Sequence, residues 1–196
     1  MPLTSSIRAR SIIGLAACLL AMPAFAHPGA HHVAGFPAGF LHPLAGWDHL
    51  LAMVAVGAWA AQQRRPAWHL LAVFPAVMAS GAVLALAGFV LPHVEAGIAA
   101  SVLVLGLLVA FSVRMPAAAG AVLVAAFALL HGFAHGAEFP AGASVAGYGA
   151  GFLLSTLLLH LGGAFASRSL QAWRLAAVRA AGVGVALSGA WMLAGA

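Results

Sequence analysis

Residues 117–138 read AAAGAVLVAAFALLHGFAHGAE. No charged side chain interrupts the run until its last residue. A continuous apolar segment of this length implies a helix in a bilayer, because an open strand cannot satisfy its backbone in lipid. The end of the run is a different chemistry: His131-Gly132-Phe133-Ala134-His135-Gly136-Ala137-Glu138 carries two imidazoles and a carboxylate. The whole chain of 196 residues has only three acidic residues, Asp48, Glu95 and Glu138. Asp48 belongs to a second histidine motif, His42-Pro43-Leu44-Ala45-Gly46-Trp47-Asp48-His49. Ionisable groups are costly among apolar spans, so their presence there marks a functional site. Imidazole with carboxylate is a ligand set for a borderline divalent metal such as nickel, cobalt or zinc.

Composition sets the class. The sequence is 64% hydrophobic and 6% charged, with a mean hydropathy of +1.08. A soluble domain of this size has no core large enough to hide that surface, whereas a polytopic membrane protein need not hide it. The expected fold class is therefore all-α, a membrane helix bundle with the lipid bilayer as its surroundings. The positive charge comes from eight arginines and no lysine. They are scattered between apolar runs, which speaks for orientation in a membrane and against nucleic acid as a partner.

Residues 1–26 read as a secretory signal. Arg8 and Arg10 form the basic start, a short apolar run follows, and Ala24-Phe25-Ala26 is an A-x-A cleavage site. An uncleaved first span is the alternative. Leu15-Ala16-Ala17-Cys18 has the look of a lipoprotein box, but it lies too close to Arg10 and the apolar run continues past it. Cleavage after Ala26 removes the only cysteine. The rest, 27–196, reads as one permease domain of six spans, roughly 41–61, 68–91, 96–113, 117–135, 144–166 and 175–194. Each is about 18–24 residues, enough to cross about 30 Å of hydrocarbon.

A cleaved signal places the mature N-terminus in the periplasm of a bacterial inner membrane. The connections after spans one, three and five are then cytoplasmic, and they hold Arg64, Arg65, Arg114, Arg168 and Arg174, with Arg179 just inside span six. The connections after spans two and four hold no arginine. This is the positive-inside pattern, and it makes both mature termini periplasmic. Both histidine motifs then lie at one membrane level on the periplasmic side, as do His93, Glu95 and the tail residues His27, His31 and His32.

His131 and His135 share a helix face at about 5–6 Å between Cβ atoms, and Glu138 joins that face if the helix continues. Gly132 and Gly136 form a small-xxx-small pair that lets another helix approach. His42 and His49 share a face seven residues apart. A regular helix separates them by about 10 Å along its axis, too far for one ion, unless His42 precedes the helix at Pro43 and folds back. Otherwise His42 is an outer position and His49 a deeper one. Asp48 is either a ligand or the group that orients an imidazole. His160, deep in span five, is either an exit ligand or a hydrogen-bonding group between helices. His69 reads as interfacial. The tail histidines either collect metal or form a polar tail. Met53 reads as packing. Trp47, Trp59, Trp68, Trp173 and Trp191 read as an aromatic belt.

With these motifs in order, the mature chain resembles the HupE/UreJ family of bacterial nickel permeases, associated with hydrogenase and urease maturation. The pattern H-x5-D-H is matched by His42, Asp48 and His49. The pattern F-H-G-x-A-H-G-x-E is matched by residues 130–138, with Leu130 in place of the phenylalanine. The resemblance implies secondary transport of Ni2+ as substrate, with Co2+ open for some relatives. The ligand chemistry alone admits several divalent metals, Zn2+ among them. No permanently bound cofactor and no enzymatic reaction are expected, and homo-oligomer formation is left open. The rival readings are a transmembrane haem or metal redox protein held by paired histidines and an intramembrane serine protease using Ser80 and His160. An ATP-driven pump in one chain is excluded, since a Walker motif needs lysine.

Overall fold

The computed structural model describes residues 35–171 and 175–196. The expected signal, its cleavage site, and His27, His31, His32, Trp173 and Arg174 lie outside the described residues. Among the described residues the chain is all-α, with seven helices. They are α1 Phe36–Ala45, α2 Trp47–Gln62, α3 Leu70–Leu86, α4 Val94–Ala110, α5 Ala117–Ala137, α6 Val145–Gln171 and α7 Leu175–Gly195. By length and apolar composition, α5, α6 and α7 are each sufficient to cross a membrane, and α1 with α2 qualifies as one broken span.

The first expected span, 41–61, is not one straight helix. It begins earlier, at Phe36, where Pro37 suits a first turn. It breaks at Gly46, and α1 and α2 meet at 86°. Two features cause the break. Pro43 lies inside α1 and deprives it of a backbone donor. Gly46 then adopts an extended conformation (φ −96°, ψ 120°) that ends α1 and starts α2. Helices α3 and α4 are also shorter than expected, at 17 residues each, or about 25 Å. Gly88 at φ 84° follows the end of α3, and Ser112 at φ 50° follows the end of α4.

Helices in lipid associate through close packing rather than through hydrophobic burial, and small residues set the pairs here. A Cβ on Gly132 would fall on the Met78 carbonyl, so α5 lies directly against α3. Gly57 faces the His160 carbonyl and Gly163 the Val54 carbonyl, which brings α2 onto α6. Gly106 and Gly182 do the same for α4 and α7. Helices α2 and α5 run antiparallel: His49 meets His131 and His135 at one end, and Trp59 lies over Gly120 at the other.

That other end is tied by polar side chains. The Trp59 indole, fully buried rather than part of a belt, donates to the Val113 carbonyl at 2.8 Å. Gln62 donates to the Val109 carbonyl at 3.1 Å and Arg179 to the Ala110 carbonyl at 2.8 Å. The described arginines gather at this end, away from the cluster formed by His42, His49, His131 and His135. Arg64, Arg65 and Arg114 share one cavity, and Arg168 stacks over Trp68 at 5.8 Å.

Candidate metal centre

The bend at Gly46 decides the geometry of the histidine end. It swings α1 back so that His42 and His49 approach the same partner instead of standing a turn and more apart on one axis. The His42 and His135 ring centroids are 4.8 Å apart, and those of His49 and His135 are 4.1 Å apart. His49 also meets His131 edge-on at 4.8 Å. Glu138, just past the end of α5, places a carboxylate oxygen 3.7 Å from His42 Nε2. The structure therefore brings together His42, His49, His131, His135 and Glu138. The donor atoms of His42, His135 and Glu138 all lie within 4.8 Å of one another. Neighbouring donors around one ion at bond lengths of about 2.1 Å sit about 3–3.5 Å apart, so these side chains draw together when all three bind one ion.

Hydrogen bonds fix which nitrogen carries the proton in His49, His131 and His160. Asp48 Oδ1 accepts from His49 Nδ1 at 2.7 Å and from the His49 backbone N–H at 2.8 Å. A carboxylate in this role holds the proton on Nδ1 and leaves Nε2 with a free lone pair. Of the two roles open to Asp48, the geometry is that of the orienting group. The Ser101 hydroxyl donates to the Ile98 carbonyl at 2.7 Å. It therefore accepts from His131 Nε2, 2.8 Å away, and the His131 lone pair lies on Nδ1. His160 Nδ1 donates to the Thr156 carbonyl at 2.7 Å, which frees Nε2. His49 Nε2, His131 Nδ1, His160 Nε2 and both nitrogens of His135 are buried without a hydrogen-bond partner.

The other expected residues are placed differently. His160 is not part of the outer cluster. It is fully buried, and Phe74 stands between it and His131, at 5.0 Å from His160 and 5.7 Å from His131. Glu95 does not reach the cluster either. It lines a cavity of about 600 Å³ together with Asp48, Trp47 and Trp191. Ser80 is exposed and bonded to the Ala76 carbonyl, remote in role from His160, so nothing resembles a serine–histidine pair there.

Two site residues escaped the reading of the sequence. Ser101 is the only hydroxyl in α4, and a single polar atom in an apolar span was the signal available. Gly46 is the other. A Cβ there would lie 2.9 Å from Asp48 Oδ1 and 3.1 Å from His49 Nδ1, so any side chain would press on the pair that orients His49.

The HupE / UreJ protein family model matches residues 15–192, nearly the whole chain and both histidine motifs. The chain belongs to the HupE/UreJ family. It is 46% identical over 181 residues to Protein HupE of Rhizobium leguminosarum bv. viciae, covering 90% of this chain and 94% of that protein. No solved structure matches it.

Proposed function

We propose that this HupE/UreJ protein is a secondary transporter that carries Ni2+ from the periplasm to the cytoplasm to supply nickel metalloenzymes. Co2+ and Zn2+ share the same ligand chemistry. The observation that carries the reading is the convergence of unpartnered imidazole nitrogens. Buried polar atoms in folded proteins are nearly always paired, and leaving one unpaired costs about 1–3 kcal/mol. Here several sit together, most with their lone pairs set by neighbouring acceptors and donors. A cation is the partner that satisfies all of them at once.

In this reading the chain crosses an inner membrane six times, with the bent α1–α2 unit as the first span and the arginine end in the cytoplasm. The cavity lined by Asp48 and Glu95 admits the hydrated ion from the periplasm. His42, His49, His131, His135 and Glu138 replace part of its water. Phe74 and His160 lie on the inward route. Copper binds such donors more tightly by the Irving–Williams order, so selectivity for nickel rests on geometry and metal availability. Binding must stay weak enough for release, which suits a shell that is slightly too wide before the ion arrives.

The haem reading is disfavoured by spacing. The His49 and His131 rings are already in contact at 4.8 Å, which leaves no slab between them for a macrocycle. The test is radiolabelled uptake of Ni2+, Co2+ and Zn2+ in cells lacking other nickel importers. Expression of the chain should raise nickel uptake, and uptake unchanged by expression would contradict the transport reading.

A further inference from the structure

The end of the molecule opposite the histidines holds a second concentration of charge that the transport reading does not use. A cavity of about 600 Å³ opens there, lined by Arg64, Arg65, Arg114, His69, Gln63 and Ala117. Arg64 and Arg65 come from the connection between α2 and α3, and Arg114 from the connection between α4 and α5. Two loops distant in sequence thus deliver three guanidiniums to one opening. Like charges gathered at one opening repel, yet the loops are bonded to each other. Gln63 Nε2 donates to the Val113 carbonyl at 3.1 Å, and the Met115 N–H donates to Gln63 Oε1 at 3.2 Å.

Nothing in the chain offsets that charge. Of the three acidic residues, Asp48 and Glu95 line the cavity at the far end, and Glu138 faces His42. Among the described residues, ion-pair distances involve histidines and no arginine. One helix N-terminus adds to the positive field. Helix α5 starts at the cavity after Pro116 and has no side-chain cap. Its first-turn N–H groups and dipole favour an anion. All three arginines are exposed, so an anion from outside the chain can reach them. The neighbouring Trp68 is half exposed beside the cavity and carries Arg168 over its ring, an arrangement suited to the headgroup level of a membrane. The abundant anion at that depth is a phospholipid phosphate, and the guanidinium fork matches phosphate oxygens two at a time.

We propose that the pocket formed by Arg64, Arg65 and Arg114 binds the phosphate of an anionic phospholipid headgroup. The bound phosphate offsets the repulsion among the guanidiniums and ties the α2–α3 and α4–α5 connections to one ligand. The inference stands whichever metal the protein carries.

The experiment uses the full chain in neutral detergent, titrated separately with phosphatidylglycerol, phosphatidylcholine and inorganic phosphate. Native mass spectrometry reads the adducts and thermal unfolding reads their effect. Phosphatidylglycerol should bind and raise the unfolding midpoint. Arg64→Gln with Arg114→Gln should weaken that binding by about ten-fold or more and remove the shift, with the lipid-free midpoint unchanged or raised by the relieved repulsion. Arg65→Gln alone should weaken binding in the same direction. Arg168→Gln removes the same charge at the same end but outside the cavity, and should bind like the parent. Equal binding of phosphatidylcholine, equal loss in Arg168→Gln, or no phosphatidylglycerol adduct would overturn the pocket. Full displacement of the lipid by inorganic phosphate with the same thermal shift would overturn the lipid source and leave a free-phosphate site.

Discussion

An imidazole holds a cation only through the nitrogen that carries no proton, so the groups behind the histidines matter as much as the histidines. Asp48 and Ser101 are those groups for His49 and His131. His135→Ala and Asp48→Ala should each abolish nickel uptake at limiting metal while leaving the amount of protein in the membrane nearly unchanged, because apolar replacements suit the surrounding helices. Ser80→Ala, at an exposed position, should transport like the parent. Uptake repeated at high Ni2+ separates a capture ligand, which concentration rescues, from a ligand required in transit. Ser101→Ala and Gly46→Ala should keep every ligand yet lower uptake by about ten-fold, the scale of losing a group that orients a ligand. Normal uptake in both would mean that the tautomers set by Ser101 and Asp48 are irrelevant. That these residues stand out was legible in the sequence, because acidic groups are so few that two inside histidine motifs draw the eye. Ser101 was not, since one serine in an apolar helix has no pattern around it, and its partner lies 30 residues away.

Hydropathy reveals that a segment is apolar but not whether it is straight. The stretch expected as one span at 41–61 is helical but bent by 86°, and the bend was not expected, because Pro43 and Gly46 barely alter the apolar character of the run. That bend is what brings His42 to His135, and the sequence offered the fold-back of His42 only as one of two alternatives. Helix pairing has a similar limit. Gly132 and Gly136 announced a close approach, but glycines occur in every helix, and which helix approaches is a tertiary matter. The contact of Gly132 with the Met78 carbonyl gives a stability prediction. Gly132→Ala should force α5 off α3 and lower stability by about 1–3 kcal/mol, read as a lower unfolding midpoint in detergent. Gly149→Ala, which meets nothing within 4 Å, should leave the midpoint in place. Equal midpoints for the two variants would mean that the α3–α5 contact is not tight.

Across the whole molecule, the closest packing joins α3 with α5, α2 and α1 with α6, and α4 with α7. Exchanging the first half of the bundle (α1 to α4) for the second half (α5 to α7) maps the first pairing onto the second and the third onto itself. An inverted repeat has this pattern, although the two halves share no recognisable sequence similarity. The arrangement puts the cluster of His42, His49, His131 and His135 at one end and the described arginines at the other, and it makes the orientation testable. In a Cys18→Ser background, Ala141→Cys should react with an impermeant thiol reagent in cells opened only at the outer membrane. Ala118→Cys, at the arginine end, should react only after the inner membrane is lysed. The reverse pattern would invert the direction of transport. The central claim is that the bend at Gly46 assembles imidazoles from α1, α2 and α5 around one cation. Nickel X-ray absorption of the purified protein loaded with Ni2+ tests it most directly. The account predicts a nitrogen and oxygen shell with the scattering signature of at least two imidazoles, reduced in His42→Ala with His135→Ala. A shell of water oxygens alone, or an unchanged imidazole signature in that double variant, would contradict it.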